Sequence, residues 1–210
     1  MATGKFVVTE DNESTITTNV VSTFLLALLL LPTLKRSAAK YNITSNLSIV
    51  SSEVHMFTSF PERNAQPSIF DHLNNKDTAN MDDRYNVSKL LEILALRELC
   101  QKHIPQPYPV TVNTLNPGFC HSGLAREIDN DWGMWAMKKV LARTTEVGGR
   151  TLVLSALAGK ETHGEYMTDG VVAQTAPLVR SEDGKRAQER VWSELSRKLE
   201  AIQPGILENL

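Results

Sequence analysis

Residues 13–38 constrain the fold more than any other stretch. They read as one long helix, apolar nearly all round, with "VVSTFLLALLLLPTL" (20–34) at its centre. A helix without a polar face is expected between other elements and not on a surface. The alternative, a membrane span, needs about 20 consecutive apolar residues, whereas this run is interrupted by Ser22, Thr23, Pro32 and Thr33. It also begins well after Met1 and lacks the basic leader of a secretory signal. No membrane span is expected.

Around this helix the chain alternates helical stretches with short β-rich runs, the pattern of an α/β domain. "NLSIVSS" (46–52) reads as a strand ending in hydroxyls, and 56–83 as a polar, proline-containing excursion of the kind that forms a functional loop. Between 82 and 103, Val87, Leu91, Leu94 and Leu99 keep a helical stripe until Pro105, Pro107 and Pro109 forbid continuation. "VTVNTLNPG" (110–118) is a strand that breaks at Pro117-Gly118, and a Trp-rich segment follows at 119–142. A helix at 146–158 is capped by Thr144 or Thr145, and "GEYMTDGVV" (164–172) is the last short strand. Residues 182–202 place Ala187, Val191, Leu195, Leu199 and Ile202 on one face of a solvated outer helix. With 210 residues, 41% of them hydrophobic, a single domain over 1–203 with a tail at 204–210 is expected.

A net charge of −2 and a pI near 6.2 offer no basic field for nucleic acid. The two cysteines, Cys100 and Cys120, have no metal-site spacing, so no metal is expected and a reducing, cytoplasmic setting is. Without a secretory route, the formal glycosylation site at Asn86-Val87-Ser88 stays unused.

The same stretch, "DDRYNVSK" (82–89), places Tyr85 and Lys89 four apart. On a helix that spacing puts both side chains on one face, about 5–6 Å apart. An ammonium beside a phenol favours phenolate, so the expectation is a tyrosine whose proton is within reach of neutral chemistry.

In order, "NVVSTFLL", "IVSSEVH", "YNVSK" and "NPGFCHS" resemble the short-chain dehydrogenase/reductase family, in particular fungal members similar to retinol-dehydrogenase-like enzymes. The resemblance implies a partial Rossmann-like α/β domain, a doubly wound parallel sheet missing its first strands. It also implies NAD or NADP as cofactor, with hydride exchange to or from a carbonyl or secondary alcohol, in fungi often during secondary metabolism. In that pattern Tyr85 transfers the proton, Lys89 lowers its pKa and holds the nicotinamide ribose, Ser52 orients the substrate oxygen and Asn19 supports a water relay. Pro117, Gly118, Cys120 and Ser122 form the loop along the nicotinamide. Read singly, Ser51 and Ser52 also fit a strand cap, Asn19 a satisfied helix polar group, and Ser122 an ordinary turn residue. His55 and His121 lie near these motifs without an assigned role, and Lys35 fits a solvated helix end or a cofactor phosphate contact.

One part of the pattern is absent. Between Met1 and Pro117 the only glycine is Gly4, and a dinucleotide's pyrophosphate needs a glycine-rich turn after the first strand. The expectation is a chain that starts after four strands of the sheet, leaving the strand near 47–51 an open edge and the apolar helix short of partners. Three readings follow: most of a working reductase, a catalytically inactive relative, or a binding or scaffold protein whose apolar helices pair with another chain, a homo-oligomer included.

Overall fold

The computed structural model describes residues 1–120 and 142–210. After a small hairpin of β1 (Val8–Thr9) and β2 (Asn12–Glu13), the chain enters a helical rod. The rod comprises a first turn α1 (Ser14–Ile16), a π-helical turn Thr17–Val21 and α2 (Ser22–Tyr41), which ends in left-handed Asn42. Then come β3 (Ser45–Val50), α3 (Ile69–Leu73), α4 (Met81–Glu98), β4 (Val110–Asn116), α5 (Thr145–Ala156), β5 (Tyr166–Thr168), β6 (Val171–Val172) and α6 (Glu182–Ile202).

The main sheet runs β3-β4-β5-β6, with β3, β4 and β5 parallel and β6 folded back antiparallel on β5. Register is set from Ser45 opposite Val110 to Val50 opposite Leu115. All seven residues of β4 are buried, as a strand covered on both faces should be. Its alternation sorts the two faces. Val110 and Val112 join the core with α2, α4 and α6, while Asn113 points the other way and donates to the Ser155 carbonyl of α5 at 3.3 Å. Helices thus flank the sheet on both sides, a mostly parallel, partial doubly wound arrangement.

The rod departs from the expectation of burial all round. Phe24, Leu28 and Leu31 are sealed in the core, but Leu26, Leu29 and Leu30 face outward at 57%, 49% and 41% exposure. The described residues cover only one side of it. As a continuous helix, Ser14–Tyr41 is 28 residues long, and among the described residues it is the one helix long and apolar enough to cross a membrane by length and composition, with 61% of its most apolar window buried inside the protein.

The excursion at 56–83 is also more structured than expected. Phe60, Ile69, Phe70 and Leu73 are all core residues, and Ser68 caps α3 by accepting from the Asp71 amide. The stretch 164–172 forms a hairpin and not one strand, turning at Asp169 and Gly170, whose φ angles are 51° and 80°. In α6, Ala187, Val191, Leu195 and Leu199 are buried as expected, whereas Ile202 is exposed. Beyond it, Ile206 is buried and the Asn209 and Leu210 carbonyls accept from Lys35 Nζ at 2.8 and 3.1 Å, so Lys35 tethers the end of the chain instead of standing free in solvent.

Candidate active site

Parallel strands leave their carboxyl ends at one edge of the sheet, and the candidate residues gather there. The Ser51 amide extends the β3–β4 ladder by donating to the Leu115 carbonyl at 2.7 Å, which sets Ser51 and Ser52 beside the turn that follows β4. That turn, Asn116-Pro117-Gly118, is held by Asn116: its Oδ1 accepts from the Gly118 amide at 3.1 Å and its Nδ2 donates to Thr168 Oγ1 at 3.3 Å. Gly118 has φ 80°, a conformation other residues adopt only under strain. Cys120 follows, its Sγ donating to the Pro117 carbonyl at 3.4 Å. Ser122 and His121 lie outside the described residues, as does most of the Trp-rich segment.

Ser52 is extended and its Oγ accepts from the Val54 amide at 3.4 Å, capping the one-turn 3-10 segment Glu53–Met56. His55 in that turn now has a position that its sequence did not disclose. The Ala176 amide donates to its Nε2 at 3.1 Å, so the ring proton sits on Nδ1 and is donated to the Ser52 carbonyl at 2.7 Å. Burial lowers the pKa of this histidine, consistent with a neutral ring that ties the serine turn to the loop after β6.

α4 presents Tyr85, half-buried in its first turns, and Lys89, 8% exposed, on one face. The Lys89 ammonium lies 5.8 Å from the centre of the Tyr85 ring, and Ser52 is close enough to the phenol to favour its ionised form slightly. Asn19 enters from the π-helical turn. Its Nδ2 donates to Ser88 Oγ and to the Met1 carbonyl, both at 2.9 Å, and Ser88 Oγ donates to the Tyr85 carbonyl at 2.7 Å. Asn19 therefore reaches the centre through Ser88 and touches neither reactive side chain directly.

The electrostatics correct one expectation. The Tyr85 phenol is pushed up to about 12, first by burial and then by the negative charge of Glu92, against a smaller opposing effect of Ser52. The reason lies in where the lysine points. Lys89 Nζ donates to the Val50 carbonyl at 2.9 Å and to Glu92 Oε1 at 2.8 Å, so its charge is largely neutralised before it reaches the phenol. Glu92 is itself pushed up to about 7 by burial, with Lys89 pulling the other way. Ser51 commits its hydroxyl proton to the Lys89 carbonyl at 3.0 Å, and Glu92 Oε2 beside it is left buried without a donor.

A nicotinamide cofactor can be tested against these residues. The Lys89 ammonium uses two of its three N–H donors among the described residues, leaving one for a ribose hydroxyl, and the Pro117-Gly118 turn lies next to Ser52 along the strand ends. The residues present fit the nicotinamide end of such a molecule, while no glycine-rich turn for its pyrophosphate occurs before Pro117.

No protein-family model matches the chain. Curated relatives do. The chain is 47% identical to a short chain dehydrogenase/reductase of Cryptosporiopsis sp., aligned over 100% of this chain and 65% of the relative. It is 43% identical to a short-chain dehydrogenase of Penicillium roqueforti (97% of this chain, 55% of the relative) and 39% identical to a short chain dehydrogenase of Gibberella zeae (99% and 62%). The chain thus spans less than two thirds of the length of these relatives. Identity of this order along nearly the whole chain, together with the mostly parallel sheet, makes it a member of the short-chain dehydrogenase/reductase family.

Proposed function

We propose that these residues form the catalytic half of an NAD(P)-dependent oxidoreductase that reduces a small-molecule ketone or aldehyde, with Tyr85 as proton donor. The observation that carries this reading is the Lys89 ammonium 5.8 Å from the Tyr85 ring, with Ser52 close to the same phenol, at the carboxyl edge of the sheet. The nicotinamide, when bound, supplies the hydride. Ser52 orients the carbonyl oxygen by hydrogen bonding, and Tyr85 donates its proton to the alkoxide that develops there. Lys89 offers its free N–H to the ribose, Pro117, Gly118 and Cys120 line the nicotinamide, and Asn19 steadies α4 through Ser88.

A phenol held protonated throughout the neutral range is a standing acid. That is the form which donates in carbonyl reduction. Free thiols at Cys100 and Cys120 fit a cytoplasmic enzyme. The test is NADPH oxidation by the gene's full translated product against a panel of aryl and aliphatic ketones, with alcohol formed in equal amount. Absence of both turnover and NADPH binding overturns the reading.

A second reading, a binding or scaffold protein, rests on a specific observation: Leu26, Leu29 and Leu30 on α2 and Val153, Leu154 and Leu157 at α5 stand exposed on either side of a β3 edge that has no strand partner among the described residues. It predicts a hetero- or homo-oligomer by size-exclusion chromatography with no response to NADPH.

A further inference from the structure

Glu92 has no part in the chemistry described so far, yet it is the most deeply placed charge near it. Its side chain is 1% exposed, in the middle of the apolar run "LLEILAL". A buried carboxyl is costly unless every lone pair finds a donor. This one has a single strong partner, Lys89 Nζ at 2.8 Å, and an Oε2 with none. Such a half-satisfied group is a poor stabiliser by design, so its use must be sought in what it does to its neighbour.

That neighbour is the lysine of the proposed centre. Lys89 is held by two hydrogen bonds, to Glu92 on its own helix and to the Val50 carbonyl at the end of β3, while its ammonium stands 5.8 Å from the Tyr85 ring. We propose that Glu92 is the positioning residue of this centre: a buried carboxylate that fixes the Lys89 ammonium against the end of β3 and decides how much of its positive charge Tyr85 feels. The inference rests on the reading of Tyr85 as proton donor but concerns a property measurable without turnover.

The groups facing this pair are few. Lys89 and Tyr85 come from α4 itself, Ser51 and Ser52 from the end of β3, Asn19 from the helical rod, and the Met1 amine, which donates to Asn19 Oδ1 at 2.5 Å, from the start of the chain. Of these only Lys89, Glu92 and the Met1 amine carry charge, and Glu92 is the charge that holds the phenol's proton on. Glu92→Gln keeps the size and the acceptor for Lys89 while deleting the negative charge.

The experiment is 13C NMR of the full chain labelled at tyrosine Cζ, with the Tyr85 signal assigned by its loss in Tyr85→Phe, titrated in the wild type, Glu92→Gln and Glu92→Asp. An unneutralised ammonium at this range lowers a neighbour's pKa by about one unit or more. Glu92→Gln is therefore expected to raise the Tyr85 ionisation constant about tenfold or more. Glu92→Asp, which keeps the charge, stays near wild type and covers the case in which Glu92→Gln fails to fold. In a Lys89→Met background, Glu92→Gln shifts the signal less than in the wild-type background, because only the direct repulsion between Glu92 and the phenolate is then removed and no ammonium is released toward the ring. An unchanged Tyr85 titration in folded Glu92→Gln, or a shift in Glu92→Asp as large as that expected of Glu92→Gln, overturns the proposal. Loss of turnover with the titration as expected counts against the reductase reading alone.

Discussion

The two helices that cover β4 from opposite sides differ in what they bury. α4 is enclosed nearly all round: from Val87 to Leu96 every residue is buried, charged Lys89 and Glu92 included. α5 buries only Gly148, Thr151 and Ser155, and turns Val147, Leu152, Val153 and Leu154 outward. The chemistry-bearing charges sit on the apolar, enclosed helix, and the apolar surface sits on the open one. Enclosure lowers the local dielectric, so one carboxylate three residues from a lysine can govern a phenol; the same charges on α5 would be screened by water.

That contrast breaks first at Lys89. Lys89→Ala removes the side-chain cation beside the phenol and takes from Glu92 its ion-pair partner; turnover should fall roughly 10²–10⁴-fold, with weaker NADPH binding in the same titration. Unaltered kinetics would mean that enclosure confers nothing on this pair. Next in size is packing. Leu94→Ala in α4 should cost about 2–5 kcal/mol in denaturant unfolding, whereas Leu154→Ala, 51% exposed on α5, should stay within about 0.5 kcal/mol. Similar costs at both positions would show that α5 is covered in solution.

The third test uses pH. The Glu92 carboxyl is raised to about 7 in the folded chain. Its contribution to stability is full below the ordinary carboxylate pKa and is lost as pH rises through about 7. The wild type should therefore lose stability relative to Glu92→Gln over that interval, with a slope approaching about 1.4 kcal/mol per pH unit, read as the difference in melting temperature between the two. The smallest effects belong to neighbouring glycines of α5. A Cβ at Gly148 would lie 2.5 Å from Cys120 Sγ, while Gly149 has open space. Gly148→Ala should destabilise by about 1–3 kcal/mol, and Gly149→Ala should stabilise by up to about 1 kcal/mol.

Legibility of the sequence follows the same division. Long periodic elements such as α4 and α6 are readable because many residues vote for one period, and Thr144 caps α5 where its type suggests, accepting from the Val147 amide at 3.3 Å. The Asp169-Gly170 turn is missed when 164–172 is read as one strand, although Asp-Gly between β-rich runs is a hairpin signal. The core residues of 56–83 are harder: Phe60, Ile69, Phe70 and Leu73 follow no regular spacing, and only Ser68 with Asp71 three residues on hints at a helix start. At the site, Tyr85, Lys89, Ser52 and Asn19 stand out by motif. Glu92 and His55 do not, because their roles depend on partners far apart in sequence, Ala176 for His55 and the β3 end for the Lys89–Glu92 pair. A charge inside "KLLEILAL" was nonetheless a signal: on a buried helix it must be held by something.

The most direct measurement is single-turnover reduction of a ketone by NADPH in Tyr85→Phe, with cofactor affinity measured on the same preparation. Proton donation by Tyr85 predicts a loss of roughly 10²-fold or more in rate at unchanged NADPH affinity. A Tyr85→Phe enzyme that reduces the ketone at the wild-type rate contradicts it.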